Sequence, residues 1–450
     1  MIYRRFFLVT ASAFFIRAVF LITVGTNPKM YLTPDSPAYL RLAENLLTHH
    51  QFSTSRLPPL EPDTIRTPGY PLFLIPFVSG ENSKILLIVW TQALLGALTA
   101  GFLFLVGFIL WQKMVAATFT GFAMGFDYVI ILYSSFIMTE PLYLLLFVLS
   151  LLFFARFLIN PSTYKMNLAL AAFFSGLCTL VRPVSLYYFL IPLSVLVYRG
   201  LARDLKNTAK LFSLYFLVSI ALPFFWMARN KTVIGGWTIS TIQGLTRASI
   251  LEEYLSHKTY EEADAALENR FKLEHPDGFP NPGKEAAAKS VWALKYTLHY
   301  PQDYAVVLLH ESIRLIAGNG MKAGAWMFFK DPRHDPFTIM VHPTDTNQTQ
   351  VKNLSSNHPI LGVALVVYLS LLALVYVLSL VGFLVSWREM KPAALWLGLT
   401  TVYFFLVSIG FGSGARYRIP LMPGIFLLAG LGVDRVWGFI SSFRTARRSS

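Results

Sequence analysis

Ile85–Gln112 runs without a charged residue, and Ser356–Trp387 does so apart from His358. A helix needs roughly 20 apolar residues to cross a hydrocarbon core, and both runs exceed that. With 55% apolar and 14% charged residues and a positive mean hydropathy, the 450-residue chain lies outside the range of soluble globular domains. Shorter apolar segments are Phe6–Val24, Met114–Phe126, Met138–Phe154, Met166–Leu180, Val184–Val197, Leu211–Met227, Ala393–Phe411 and Ile419–Trp437. The expected fold is an all-α polytopic membrane protein with about ten crossings. No small-residue cleavage pattern follows the first segment, which reads as a retained span.

Basic residues fix an orientation. With the N-terminus inside, the inner turns hold Arg4, Arg5, Lys113, Arg156, Lys165, Arg199, Arg203, Lys206, Lys210, Arg388 and Lys391, and the tail adds Arg444, Arg447 and Arg448. Both termini are then cytoplasmic. Much of the net charge of +14 is topology and calls for no nucleic acid. Residues 25–83 and 229–358 become long outer loops, and all nine histidines fall in them. The single cysteine, Cys178, sits in an apolar segment and allows no internal disulfide.

Three regions follow: a transmembrane module over 1–228 that includes the outer loop 25–83, a small outward-facing soluble cap over 229–358, and C-terminal spans over 359–450. After Pro37, Tyr39, Leu40, Ala43, Leu46 and Leu47 recur at helical spacing, which predicts a helix on the outer membrane surface. In the cap, Leu251–Glu274, Lys284–Leu298 and Asp303–Ile316 read as helices, and Ala305–Ala317 as a membrane-surface helix.

Acids near a bilayer are costly, so their positions are informative. Outside the two long loops only five occur, and Asp204, Glu389 and Asp434 belong to the inner side. Asp127 and Glu140 bracket an outer turn, on the same face as Asp35 in "TPDSPAY". Each has a plain structural reading as a helix cap or first-turn acid. For Asp35, Ser36 is the expected N-cap with Pro37 at N1, which leaves the Asp35 carboxylate unused. Arg66, Arg182, Arg229, Arg416 and Arg418 lie on that face too. One arginine there usually snorkels to headgroups, whereas several beside tight turns suit a phosphate held at the interface.

"PDSPAYLRLAENLL", "RTPGYPLFLIPF", "MTEPLYLLLF", "LVRPVS", "WMARNKTVIGGWTIST" and "GARYRIPLMPG" occur in that order. The series resembles the bacterial relatives of the protein O-mannosyltransferases and the lipid A aminoarabinose transferases. These are polytopic glycosyltransferases of the GT-C class that use polyprenyl-phosphate-linked sugars. The resemblance covers most of the membrane portion and stops at residues 245–358. It implies a GT-C-like fold, Asp35 beside the reacting carbon, Glu140 as a second acid, and Arg229 with Arg416–Arg418 near the donor phosphate. Arg66 and Arg182 are further phosphate candidates, with Asp127, Tyr39, Tyr70 and Tyr417 in support. Ser36 stands where some relatives carry another acid, so a divalent metal is left open.

The expected chemistry is sugar transfer at the outer face of a plasma (inner) membrane. Asp35 would act as general base for a lipid, glycan or protein acceptor, and arginines would meet the charge on the departing phosphate. Inversion rests on the resemblance, because the sequence gives no distance between the carboxylates. His49–His50, His310–Glu311 and Asp331–Pro336 lack the spacing of a zinc site. The sequons at Asn230, Asn347 and Asn353 matter only in a secretory-pathway host. Two competing classes are a lipid-linked sugar transporter or flippase, which would place its site at the midplane, and a polysaccharide polymerase or ligase.

Overall fold

The computed structural model describes residues 1–78, 84–159, 164–200, 204–242, 244–318, 320, 359–410 and 414–448. The described residues are mostly helical, and among them the one β feature is an isolated bridge between Ser53 and Pro62. In chain order the helices are α1 (Ile2–Val24), α2 (Ser36–His49), α3 (Gly69–Leu74), α4 (Ile85–Trp111), α5 (Met114–Phe126) and α6 (Tyr128–Ser134). Next come α7 (Glu140–Ile159), α8 (Tyr164–Val181), α9 (Leu190–Gly200) and α10 (Leu205–Ile234). The cap holds α11 (Thr246–Ser256), α12 (Tyr260–Glu274), α13 (Pro282–His299) and α14 (Pro301–Ala317). Finally α15 (Pro359–Glu389), α16 (Lys391–Ser408), α17 (Ala415–Arg418) and α18 (Met422–Arg448) return through the bundle.

Eight helices among the described residues are long and apolar enough to cross a membrane, or nine if the bent pair α5–α6 counts as one span. Two segments account for the difference from about ten. Met114–Phe126 is one arm of that pair, broken by 49° at Asp127, whose side chain caps α6 by accepting from the Ile130 N–H at 2.9 Å. Val184–Val197 is divided into a short 3₁₀ turn at Pro183–Ser185 and the 11-residue α9, so no single helix there is long enough to count. The segment nevertheless runs the length of α7, from Arg182 beside Glu140 to Arg199 beside the Leu158 carbonyl.

The core lies where α1, α4, α5, α7, α8, α16 and α18 meet, and the broadest packing is between α15 and α18. Arg17, fully buried in the middle of α1, is accommodated by small residues. A Cβ on Gly96 would sit 2.6 Å from its Nε, and its Nη1 donates to the carbonyls of Gly125 (2.6 Å) and Ala13 (3.0 Å). A separate apolar cluster, including Leu251, Leu267, Ala293 and Val307, holds the cap helices together. The expected helix over Leu251–Glu274 is two helices, because His257 turns into the left-handed region (φ 54°) and Thr259 and Glu262 form a capping box that starts α12.

Lys113 contacts Asp434 (3.3 Å) and Glu389 (3.8 Å), and so ties the end of α15 and the middle of α18 to the turn before α5. This ionic layer marks one face of the bundle. The loops after α1 and α3, the starts of α2 and α7 and the end of α8 lie on the opposite face.

Candidate functional site

The site forms where five chain segments reach that second face. Asp35 occupies the turn before α2, and its side chain makes no cap hydrogen bond. The expectation that Ser36 caps this helix is corrected. The Ser36 hydroxyl accepts from the Thr33 N–H (2.8 Å) and donates to the Ile137 carbonyl (2.9 Å), tying the turn to the strap before α7. The Asp35 carboxylate is left for other partners. Arg66 Nη2 meets its Oδ1 at 2.5 Å and Arg416 Nη1 its Oδ2 at 3.5 Å.

Each partner is itself held. The Arg66 N–H donates to Asp63 Oδ1 (2.8 Å), and its guanidinium lies over the Tyr39 ring at 5.4 Å. Tyr39 packs edge-on against Tyr70, whose hydroxyl donates to Gln92 Oε1 at 2.6 Å. Gln92, buried in α4, turns its amide to the carbonyls of Ser134 and Phe136. One buried polar residue thus links α3 to the strap that delivers Glu140. Burial, the largest influence, pushes the Tyr39 phenol up, so it stays a neutral hydrogen-bond donor.

Glu140 begins α7 and accepts from Arg182 Nη1 (2.8 Å) and from Arg416 Nε. Arg182 follows the last turn of α8, where Pro183 stops the helix, and lies over the Tyr143 ring. Arg416 therefore bridges both acids. The two carboxylates differ in access: the Asp35 side chain is 35% exposed and that of Glu140 2%. A cavity of about 210 Å³ opens here, lined by Asp35, Tyr39, Arg66, Arg182, Arg416 and Tyr417, with Thr67, Thr139, Thr246 and Ser408. Those last four were missed by sequence reasoning, since an isolated hydroxyl residue carries no signal of its own.

Several candidates stand elsewhere. Arg229 is stacked between Phe52 (5.6 Å) and Trp226 (4.8 Å) and donates to the carbonyl of Asp63 (2.8 Å) and to Asn230 Oδ1. It clamps the loop that carries Arg66. Arg418 is buried and donates to the carbonyls of Ile316 (2.8 Å) and Gly318 (2.7 Å) and to the Tyr368 hydroxyl (2.6 Å). Asp127 caps α6, and Tyr70 lies behind Tyr39. The Asn230 amide is buried and donates to the Thr238 carbonyl, so it is no acceptor for a glycan. Asn347, Asn353 and Asp331–Pro336 lie outside the described residues.

The donor set does not fit a metal ion. Both acids already take arginines, and a cation would enter a site where three guanidiniums face two carboxylates. Among the described residues no three His, Cys, Asp or Glu side chains gather closely enough to ligate one.

This bundle of long apolar helices has the fold of GT-C oligosaccharyltransferases. No family model and no curated protein matches the sequence. Among solved structures, the chain is similar to the Archaeoglobus fulgidus oligosaccharyltransferase in its apo form. The TM-score is 0.56 at 14% identity, over 100% of this chain and 52% of that one. It is also similar to the oligosaccharyltransferase AglB of that organism in complex with an inhibitory peptide and a dolichol-phosphate: TM-score 0.54, 15% identity, 99% and 52% covered. The chain spans about half the length of the oligosaccharyltransferases it matches, and at these identities the likeness establishes the fold.

Proposed function

We propose that this protein transfers a sugar from a polyprenyl-phosphate-linked donor to a lipid, glycan or protein acceptor. The observation that carries the reading is Asp35, a carboxylate open to the cavity and ringed by arginines at the lip of the bundle. The acceptor hydroxyl or amine would give its proton to Asp35 as its oxygen or nitrogen attacks the anomeric carbon. The bond from that carbon to the phosphate oxygen breaks, and the polyprenyl phosphate leaves.

Charge supports a monophosphate donor. Arg66, Arg182 and Arg416 contribute three positive charges and Asp35 with Glu140 two negative, leaving +1. A sugar phosphodiester carries one negative charge. As it departs, the phosphate gains a second charge while Asp35 becomes neutral, so the site moves to +2 in step with the leaving group. Glu140 lies behind the arginines rather than in the cavity lining, which favours single displacement with inversion over a double displacement.

The reading includes the bacterial GT-C relatives named above, a plasma (inner) membrane location, cytoplasmic termini and a site on the periplasmic or extracellular face. Asp35→Asn in the purified full-length protein tests it, with polyprenyl-phosphate sugars extracted from host membranes as donors. Loss of a general base lowers transfer by about 10² to 10⁴. Transfer near the wild-type rate would overturn the assignment.

A further inference from the structure

The ionic layer at Lys113 serves as a ruler. From Glu389, α15 climbs 389 − 376 = 13 residues to Tyr376 and 389 − 368 = 21 to Tyr368. At 1.5 Å per residue these are roughly 20 and 32 Å above the layer. From Asp434, the chain of α18 and the 3₁₀ turn before it climbs 434 − 418 = 16 residues to Arg418, roughly 25 Å. The hydrocarbon core is about 30 Å thick. With the ionic layer at the near boundary, Tyr376 lies about 10 Å and Arg418 about 5 Å inside the far one.

Both side chains hold the end of a cap helix. The Tyr376 hydroxyl donates to the carbonyl of Ile316 at 2.8 Å, and Arg418 Nη1 donates to Ile316 and Gly318. The last carbonyls of a helix have no partner within it, and in lipid they must find one. Arg418 and Tyr376 supply such partners from the bundle. Along α14, Val306, Leu309, Ile313 and Ile316 are 38%, 60%, 52% and 42% exposed, spaced three, four and three residues apart. Val307, Glu311 and Leu315 face inward. The exposed stripe ends against α15, whose Val367, Leu371 and Leu374 are exposed in the same way.

We propose that α14 is re-entrant: its C-terminal half dips into the leaflet on the site-bearing side, and acyl chains cover the stripe from Val306 to Ile316. This inference does not depend on the sugar-transfer reading. The cap would then be embedded at one edge rather than floating above the bilayer.

Spin labels on Leu309→Cys and Ile313→Cys test this in the full chain reconstituted into phosphatidylcholine vesicles. The sole native cysteine, Cys178, is buried and gives little background. Both positions are exposed, so folding is retained, as monodisperse elution would verify, and Val306→Cys is a third reporter. The expected result is an oxygen-to-nickel-chelate collision ratio several-fold above that of a label at exposed Lys258→Cys, and larger at Ile313 than at Val306. Ready collision with the chelate at Ile313 would place the stripe in water and overturn the proposal. Protection from both quenchers would show a protein or another chain segment covering it, and would overturn it too.

Discussion

Arg416 touches both acids of the site, yet burial gives those acids different work. Glu140 is enclosed, with Arg182 and Arg416 as partners, and serves to hold the guanidiniums in place. Removing one partner of a buried pair typically costs about 3–5 kcal/mol. Glu140→Gln should therefore lower the unfolding temperature in detergent as well as transfer, while Asp35→Asn should lower transfer with stability nearly intact. Equal stability of Glu140→Gln and wild type would remove its role as buried counter-ion. Arg416→Lys keeps the charge but loses the fork that reaches both carboxylates. A lost charge-assisted bond of about 1.5–3 kcal/mol implies roughly 10- to 100-fold weaker binding of a polyprenyl phosphate such as farnesyl phosphate. Arg229→Ala, by contrast, should leave that affinity unchanged and destabilise the loop at Asp63. Identical affinities for Arg416→Lys and wild type would end the case for phosphate binding. The sequence displayed these arginines by type and position alone. Whether a guanidinium faces a cavity, as Arg416 does, or helix carbonyls, as Arg418 does two residues later, depends on helix phase and distant partners.

At the scale of elements, hydropathy located the long helices because each carries its own signal. It did not find α3, six residues long, or the break at Asp127, since both depend on what packs against them. α3 is set by close approach. A Cβ on Gly69 would lie 2.8 Å from the Leu180 carbonyl oxygen and from Val181, beside the Thr67 hydroxyl's bond to the Val181 carbonyl (3.2 Å). Gly69→Ala must push α3 away from the end of α8, and with it separate Arg66 from Arg182. Overpacking of this kind costs about 1–3 kcal/mol. The expected outcome is a lower unfolding temperature and reduced transfer, and a variant neutral in both would show that this contact does not position the site. The helix α2 was legible from its two-faced pattern, with Tyr39 and Ala43 on its buried side, although Leu47 of the apolar pattern is exposed and Asn45 is buried.

For the whole molecule, the ionic layer of Lys113, Glu389 and Asp434 and the Asp35 cavity mark opposite faces, in keeping with the asymmetry of basic residues in the turns. If the basic face is cytoplasmic, a reporter active only in the cytoplasm should be silent when fused near Pro282 in the cap. Strong signal there would invert the topology and put the cavity on the wrong side for an outward-facing acceptor.

Arg17 has a consequence for biogenesis. A central arginine raises the cost of inserting an isolated helix by about 2.5–3.5 kcal/mol. Its Ala13 acceptor is local, but Gly125 is synthesised 108 residues later. On the ribosome α1 is therefore a provisional tenant of the membrane, and its place is confirmed only when α4 and α5 arrive. Changes at Gly96 or Gly125 would then appear first as failures of assembly in the oldest part of the chain, before any enzyme existed to be slowed.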